Sequence, residues 1–281
     1  MRRDDVHGDG NLNNVFYLDY LQEARLDLLR HHDTDVSPRS GEGVVVVRTV
    51  IEYLRPVPLR RTVPVATWVT EVRAASFTLG YELVTESKEG EPVVHARATT
   101  VLAPYVFAEN RPRRLSAEER AKLLAGIEPP PLADPPRTPW EPVGTQAYHL
   151  PVRVRFSDID LLGHVNNVRY VEYVEEATTA MAIEVFTEAR VNGTVSLVVA
   201  RTEIDYVGQM NLRPEPYDVW SRVAHVGTTS YSAVSEIRDG DAVMARARIV
   251  KVSVDEDDRP TPWLPAHADG FRRRMATMVS G

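Results

Sequence analysis

The chain has no cysteine among its 281 residues. That absence removes disulfides, thiolate nucleophiles and cysteine-ligated metals, without by itself identifying a compartment. Lysine is nearly missing too, standing only at Lys88, Lys122 and Lys251, so arginine carries almost all of the positive charge. Such usage fits either genomic base composition or local groups that grip phosphates with a bidentate fork. A formal net charge of −7 argues against a general nucleic-acid binder, which is ordinarily basic. No apolar run approaches the roughly 20 residues that span a bilayer. The start, Met1-Arg2-Arg3-Asp4-Asp5, lacks the apolar stretch of a signal peptide. These absences lead to the expectation of a cytoplasmic protein that engages neither nucleic acid nor membrane. What is present is a globular composition, 43% hydrophobic and 26% charged, on a chain long enough for two ordinary cores.

The chain also repeats itself. Asn11-Leu12-Asn13-Asn14-Val15-Phe16-Tyr17 aligns with His164-Val165-Asn166-Asn167-Val168-Arg169-Tyr170 at an offset of 153 residues. The same offset pairs Arg48-Thr49-Val50-Ile51-Glu52-Tyr53 with Arg201-Thr202-Glu203-Ile204-Asp205-Tyr206. Further on, Ser76-Phe77 answers Ser230-Tyr231, Ala96-Arg97-Ala98 answers Ala245-Arg246-Ala247, and Arg111-Pro112 answers Arg259-Pro260. The offset drifts to 154, 149 and 148, as small changes in surface loops would produce. Matches at nearly constant spacing mark an internal duplication.

Periodicity assigns each copy one long helix followed by four strands, an α+β pattern. In the first copy the helix spans 14–31, with Tyr17, Leu21, Ala24 and Leu28 on one stripe. Strands follow near 44–54, 63–73, 76–87 and 92–106, and Val44–Val47 reads as buried on both faces. The second copy has an opening strand at 152–157, a helix at 167–188, and strands near 195–207, 217–226, 229–238 and 242–254. Only six residues precede His7, so the first copy's opening strand is stunted or missing. The expected domains are a first unit over 1–110, a connector over 111–147, a second unit over 148–254 and a tail over 255–281. In the connector, Ser116 and Glu119 form a capping-box pattern for a short helix, and prolines from Pro129 to Pro142 make a stiff tether. A breaker cluster at Ser37-Pro38-Arg39-Ser40-Gly41 separates helix from strands in the first copy, and the tail carries a short helix near 266–277 containing Arg272, Arg273 and Arg274.

The most informative stretch runs from Arg155 to Glu176. An alternating segment ends at two carboxylates, turns at Gly163 and enters a helix at Asn166 or Asn167, which places Asp160 and His164 near a helix N-terminus. The unpaired first-turn N–H groups and the macrodipole suit such a place to an oxyanion. The spacing D-x-D-x-x-G-H-V-N-N-x-x-Y-x-x-Y-x-E resembles the strand–turn–helix signature of hotdog-fold acyl thioesterases, the group that holds 4-hydroxybenzoyl-CoA thioesterases and plant acyl-carrier-protein thioesterases. The resemblance implies two tandem hotdog units, each a curved antiparallel sheet wrapped around a long central helix, packed as an intramolecular pseudo-dimer. It implies hydrolysis of an acyl-CoA or acyl-carrier-protein thioester, with no metal and no cofactor, by a double unit that can associate further into a homo-oligomer.

By the same resemblance Asp160 is the general base or the nucleophile, and His164 orients water or polarises the carbonyl. Backbone N–H groups of Asn166, Asn167 and Val168 hold the oxyanion. Asn13 and Asn14 of the first copy form the opposing wall, and Glu176 faces either the acyl tunnel or water. Read without the resemblance, Asp160 and His164 are an Asx turn and a helix cap. Two departures stand out: Leu162 occupies the place where plant acyl-carrier-protein thioesterases have Asn, and the first copy has His7 and Asn11 in place of Asp160 and His164. One working centre, in the second copy, is the expectation. A non-catalytic acyl-binding protein is the rival reading. A hotdog hydratase or dehydratase is a weaker one, since no D-x-N-P-x-H pattern occurs.

Overall fold

The computed structural model describes residues 11–31, 41–58, 62–130, 140, 142–144, 147–189 and 196–276. The chain divides into two compact units, residues 1–137 and 138–281. The Met1–Asp5 segment, His7 with its neighbours Asp5 and Asp9, residues 37–40 of the breaker cluster and prolines 131–139 lie outside the described residues.

In the first unit α1 (Asn14–His31) packs against β2 (Val65–Val72). With β1 (Glu42–Tyr53), β3 (Phe77–Glu86) and β4 (Pro92–Val106), β2 forms an antiparallel sheet ordered β2-β3-β4-β1. A two-residue strand, β5 (Arg111–Pro112), extends the far end of β4. The connector helix α2 (Ala117–Leu124) has the capping box that its sequence pattern predicts: Ser116 Oγ accepts the Glu119 N–H at 3.1 Å, and Glu119 accepts the Ser116 N–H at 2.7 Å. After it the chain lies along β2, where Glu128 N–H reaches Val69 O at 3.0 Å and Trp68 Nε1 donates to Pro129 O at 2.9 Å.

The second unit contains β6 (Tyr148–Val152), α3 (Asn167–Ala189), β7 (Ser196–Tyr206), β8 (Tyr217–Val226), β9 (Ser230–Asp239), β10 (Ala242–Val254) and α4 (Pro265–Ala276). Its antiparallel sheet is ordered β7-β10-β9-β8-β6, and α3 packs on β6, β8, β9, β10 and α4. The tail helix α4 is part of this core. Phe271 is fully buried and stacks on Tyr231 with ring centroids 4.3 Å apart, beside Met181 and Val185 of α3. Gly270 is required there, because a Cβ at that position would meet Val185 Cγ1 at 2.7 Å. Arg274 pairs with Glu184 and Glu188 of α3, at 3.0 and 2.6 Å.

Three details differ from the sequence reading. The opening strand lies at Tyr148–Val152 rather than 152–157, because the Asp158 carboxylate takes the Arg155 N–H at 2.7 Å and winds Phe156–Asp158 into a 3-10 turn. This turn breaks the alternation of the buried Val152 and Val154, and Phe156 is 84% exposed. Of the Val44–Val47 run, Val44 to Val46 are only partly buried and Val47 is exposed, and the covered stretch of β1 is Arg48–Ile51. In α1 the buried stripe passes through Leu18, Leu21, Arg25 and Leu29, with Ala24 and Leu28 half-buried, because the Arg25 guanidinium turns inward beside the buried Tyr81 phenol.

The duplication extends to the irregularities of the sheets. Register shifts leave one unpaired residue at Val47 in β1, Thr70 in β2 and His95 in β4. The second unit has them at Ala200 in β7, Ala224 in β8 and Met244 in β10. Those pairs keep the offsets 153, 154 and 149 read from the sequence. A β-bulge re-aims every side chain beyond it, so its retention in both copies keeps the inward faces in phase.

Where the copies differ in their cores, chemistry changes with them. Lys251 of β10 stands where β4 carries the buried Leu102. It is 4% exposed and its Nζ donates to Thr179 Oγ1 at 2.7 Å. Burial pushes its pKa down from 10.5 to about 8, partly opposed by Glu175. Between about pH 8 and 10.5 the unfolded chain holds a proton that the folded chain has released, so stability rises with pH across that window. Lys251→Leu is therefore expected to stabilise the fold at pH 7 by about 1–4 kcal/mol. Chemical denaturation from pH 7 to pH 11 checks this: the advantage should shrink through the window, and an advantage independent of pH would exclude the charge as its cause.

Candidate active site

The turn ahead of α3 is built from its own backbone. Asp160 N–H donates to His164 O at 2.9 Å and Gly163 N–H to Asp160 O at 3.1 Å, while Ile159 and Val165 form an antiparallel bridge. Gly163 makes this possible at φ +81°, a left-handed conformation that a Cβ disfavours. Asn166 caps the helix: its side-chain oxygen takes the Val168 N–H at 3.0 Å and its carbonyl takes the Arg169 N–H at 2.9 Å.

Asp160 Oδ1 accepts the Leu162 N–H at 2.8 Å and the His164 N–H at a longer 3.4 Å. The carboxylate is thus an Asx turn, and it is pinned in orientation. Among the described residues neither its second oxygen nor the His164 imidazole has a hydrogen-bond partner, and both residues are half-buried. The structure therefore brings Asp160 and His164 together on one turn, each with an uncommitted polar group.

A tyrosine holds this turn to the sheet. Tyr170 OH accepts the Met210 N–H at 2.7 Å and donates to Gly208 O at 3.2 Å, while Val165 N–H donates to Met210 O at 2.9 Å. Tyr206 OH donates to Asn167 O at 3.0 Å, its ring edge-on to Tyr170 with centroids 5.4 Å apart. Burial drives the Tyr170 phenol well above its ordinary pKa, and Tyr206, Tyr217 and Asp160 add to the effect, so it stays protonated. The first unit has the same fastening. Tyr17 OH accepts the Val57 N–H at 3.1 Å, Leu12 N–H donates to Val57 O at 2.8 Å, and Tyr53 OH donates to Asn14 O at 3.2 Å.

The expected oxyanion donors need correction. Asn166 N–H donates to Asp158 O at 2.8 Å and Val168 N–H is taken by the Asn166 cap, so among the described residues Asn167 N–H is the uncommitted donor of the three. The same geometry recurs at Asn13, whose side chain caps the Val15 N–H at 3.0 Å. Capping a helix is thus the observed duty of both Asn13 and Asn166, while the Asn14 carbonyl receives Tyr53.

Asp158 lies deeper, 6% exposed. Its Oδ2 accepts from Arg155 N–H and from Tyr173 OH, each at 2.7 Å, and Arg169 stands 3.8 Å from Oδ1. Burial raises the Tyr173 pKa, and the hydrogen bond to the Asp158 carboxylate raises it further. The Tyr173 hydroxyl is what ties α3 to the Asp158 turn. Beside this network opens a cleft of about 400 Å³, walled by Arg153, Arg155, Asp158, Glu172, Tyr173 and Glu176. Glu176 is exposed on that wall.

Two copies of a long helix packed on an antiparallel sheet, one of them bearing an Asp160–His164 turn at the helix start, define a tandem hotdog protein. The sequence matches the family model of the thioesterase-like superfamily over residues 3–127 and 154–271, and the chain belongs to that superfamily. Its fold is similar to that of the 12:0-ACP thioesterase from Umbellularia californica, with a TM-score of 0.74 at 18% identity, covering 90% of this chain and 91% of that one. It is also similar to an acyl-ACP thioesterase from Bacteroides thetaiotaomicron, with a TM-score of 0.66 at 19% identity, covering 89% and 94%. No curated protein matches the sequence.

Removing the phenol that serves the buried Asp158 leaves a carboxylate oxygen short of a donor. Tyr173→Phe is expected to cost about 1–3 kcal/mol, measured by denaturant unfolding. An unchanged midpoint would show that the hydroxyl contributes no net stability.

Proposed function

We propose that the chain hydrolyses an acyl thioester, carried by coenzyme A or by an acyl carrier protein, to a free acid and a thiol. Asp160 acts as general base or as nucleophile. In the base route a water oxygen bonds to the carbonyl carbon, its proton passes to Asp160, the C–S bond breaks and the sulfur leaves as thiol after taking up a proton. His164 orients the water or polarises the carbonyl, and Asn167 N–H faces the developing oxyanion at the positive end of α3. The first copy has His7 and Asn11 at the corresponding positions, so the proposal assigns the chemistry to the second copy.

The observation that carries this reading is the state of the Asp160 carboxylate: one oxygen fixed by turn amides, the other without a partner among the described residues, on the same turn as an imidazole that also has none. A base must be held still and yet keep a lone pair for the incoming proton. Family membership supports the reaction class, and the two structural relatives are both named as acyl-ACP thioesterases. A non-catalytic acyl-thioester binder is the second reading, favoured by the same Oδ1 contacts if holding the turn is all that Asp160 does.

Asp160→Asn separates the two, because the amide oxygen can still accept the Leu162 N–H while the base is gone. On a panel of acyl-CoA and acyl-carrier-protein substrates, thiol release should fall by about 10²–10⁴-fold with the melting temperature nearly unchanged. Full activity in the variant would refute the role of Asp160, and wild-type binding without turnover of any substrate would favour the binder.

A further inference from the structure

The interior of the first unit holds a charge that nothing around it balances. Arg25 lies on the buried stripe of α1, one turn from Leu21 and one turn from Leu29, and is 8% exposed. Among the described residues no carboxylate pairs with its guanidinium. Tyr81 shares a face of β3 with Leu79 and Leu83, all three fully buried, and stands opposite Thr67 of β2. The Tyr81 hydroxyl lies beside the Arg25 guanidinium and the Thr100 hydroxyl, yet it forms no hydrogen bond among the described residues, and Thr67 Oγ1 is likewise enclosed without a partner. Thr100 and its cross-strand neighbour Thr49 are buried with their hydroxyls 3.4 Å apart.

The second unit closes the same place with its own atoms. Thr178 stands at the position of Arg25, and Ser221 and Ser235 stand at those of Thr67 and Tyr81. Ser221 Oγ and Ser235 Oγ bond each other at 2.7 Å, and Thr178 Oγ1 donates to Glu175 O at 3.1 Å. The first unit has instead a cation, an enclosed phenol and an enclosed hydroxyl, all of them able to donate. Burial drives the Tyr81 phenol above its ordinary pKa, with the Arg25 charge opposing, so it keeps its proton. A buried charge without a counter-charge is costly, and an enclosed donor without an acceptor adds to that cost. A single negative charge with two acceptor oxygens relieves all three groups at once. The flat guanidinium fork matches a carboxylate in that respect, while an anion of higher charge would exceed the one cation present.

We infer that the first unit binds a carboxylate between α1 and the sheet, with Arg25 on its two oxygens and the Tyr81 and Thr67 hydroxyls donating to it. The group comes either from a short free acid such as acetate or from a longer acid of the kind the proposed reaction releases. The inference stands apart from the role given to Asp160, since every residue it uses belongs to the first copy.

The test titrates the full-length chain with sodium acetate and, separately, with sodium dodecanoate at constant ionic strength, reading heat of binding and melting temperature, with sodium chloride as the reference anion. Wild type should bind a carboxylate saturably and melt at a higher temperature as its concentration rises. Arg25→Leu and Tyr81→Phe should each bind it about 10-fold more weakly. Without carboxylate, Tyr81→Phe should melt as wild type does, because its hydroxyl has no protein partner to lose. That variant keeps the test decisive should Arg25→Leu fail to fold. Ser235→Ala, the matching change in the second unit, should leave carboxylate binding as it was. Dependence on Arg25 and Tyr81 seen with acetate assigns the site to short acids, and dependence seen with dodecanoate alone assigns it to longer ones; either supports the inference. No saturable binding, binding that neither variant weakens, or equal stabilisation by chloride would overturn it.

Discussion

The structure depends on a phenol that takes one backbone N–H from the loop after a strand. Tyr170 does this for Met210, and Tyr17 does it for Val57. A buried amide without a partner costs as much as a lost hydrogen bond, so each tyrosine both stabilises its loop and fixes the start of its helix on the sheet. In the first unit burial pushes the Tyr17 phenol up to about 12, which keeps it a neutral partner. Everything chemically interesting in the second unit hangs from this fastening. The Asn166 cap lies within the span that Val165 and Tyr170 anchor to residues 208–210, and the Asp160 turn and the Asp158 network flank it.

The two copies share that frame while diverging in what it presents. Lys251 replaces a leucine, Arg25 stands where the second helix carries Thr178, and His7 and Asn11 stand where Asp160 and His164 do. Where both positions are described, the substitutions fall on side chains and leave the backbone pattern intact. Such an outcome follows from a packing constraint common to both copies: a cap, a bulge or a tyrosine tie is needed for folding in either copy, whereas a side chain that holds no part of the frame is free to differ.

Helices and strands were largely legible because each has a strong period: α1 spans Asn14–His31 as the stripe indicates, and β4 spans Pro92–Val106. The duplication and the hotdog class were legible from spaced identities around Asp160 and His164. What sequence could not show came from long-range hydrogen bonds. Asp158 holding Arg155 N–H shortens the opening strand, and the bulge at Val47 exposes a valine that hydropathy alone would bury. In the site, the turn and the helix cap were legible but their hydrogen bonds were not foreseeable. Asn166 and Val168 satisfy each other, and Tyr173 is a partner of Asp158 rather than simple filling. The outward alternation of Arg153 and Arg155 was visible, but a cleft exists only once β6, α3 and the loop carrying Pro216 come together.

The paired irregularities at Val47 and Ala200, Thr70 and Ala224, and His95 and Met244 carry an evolutionary corollary. A strand lifted from one half and grafted into the other would arrive with its facing residues already in step. Recombination between the halves of the gene would thus have been structurally silent for the main chain long after the side chains had specialised. The halves keep one main-chain register even where their side chains have parted.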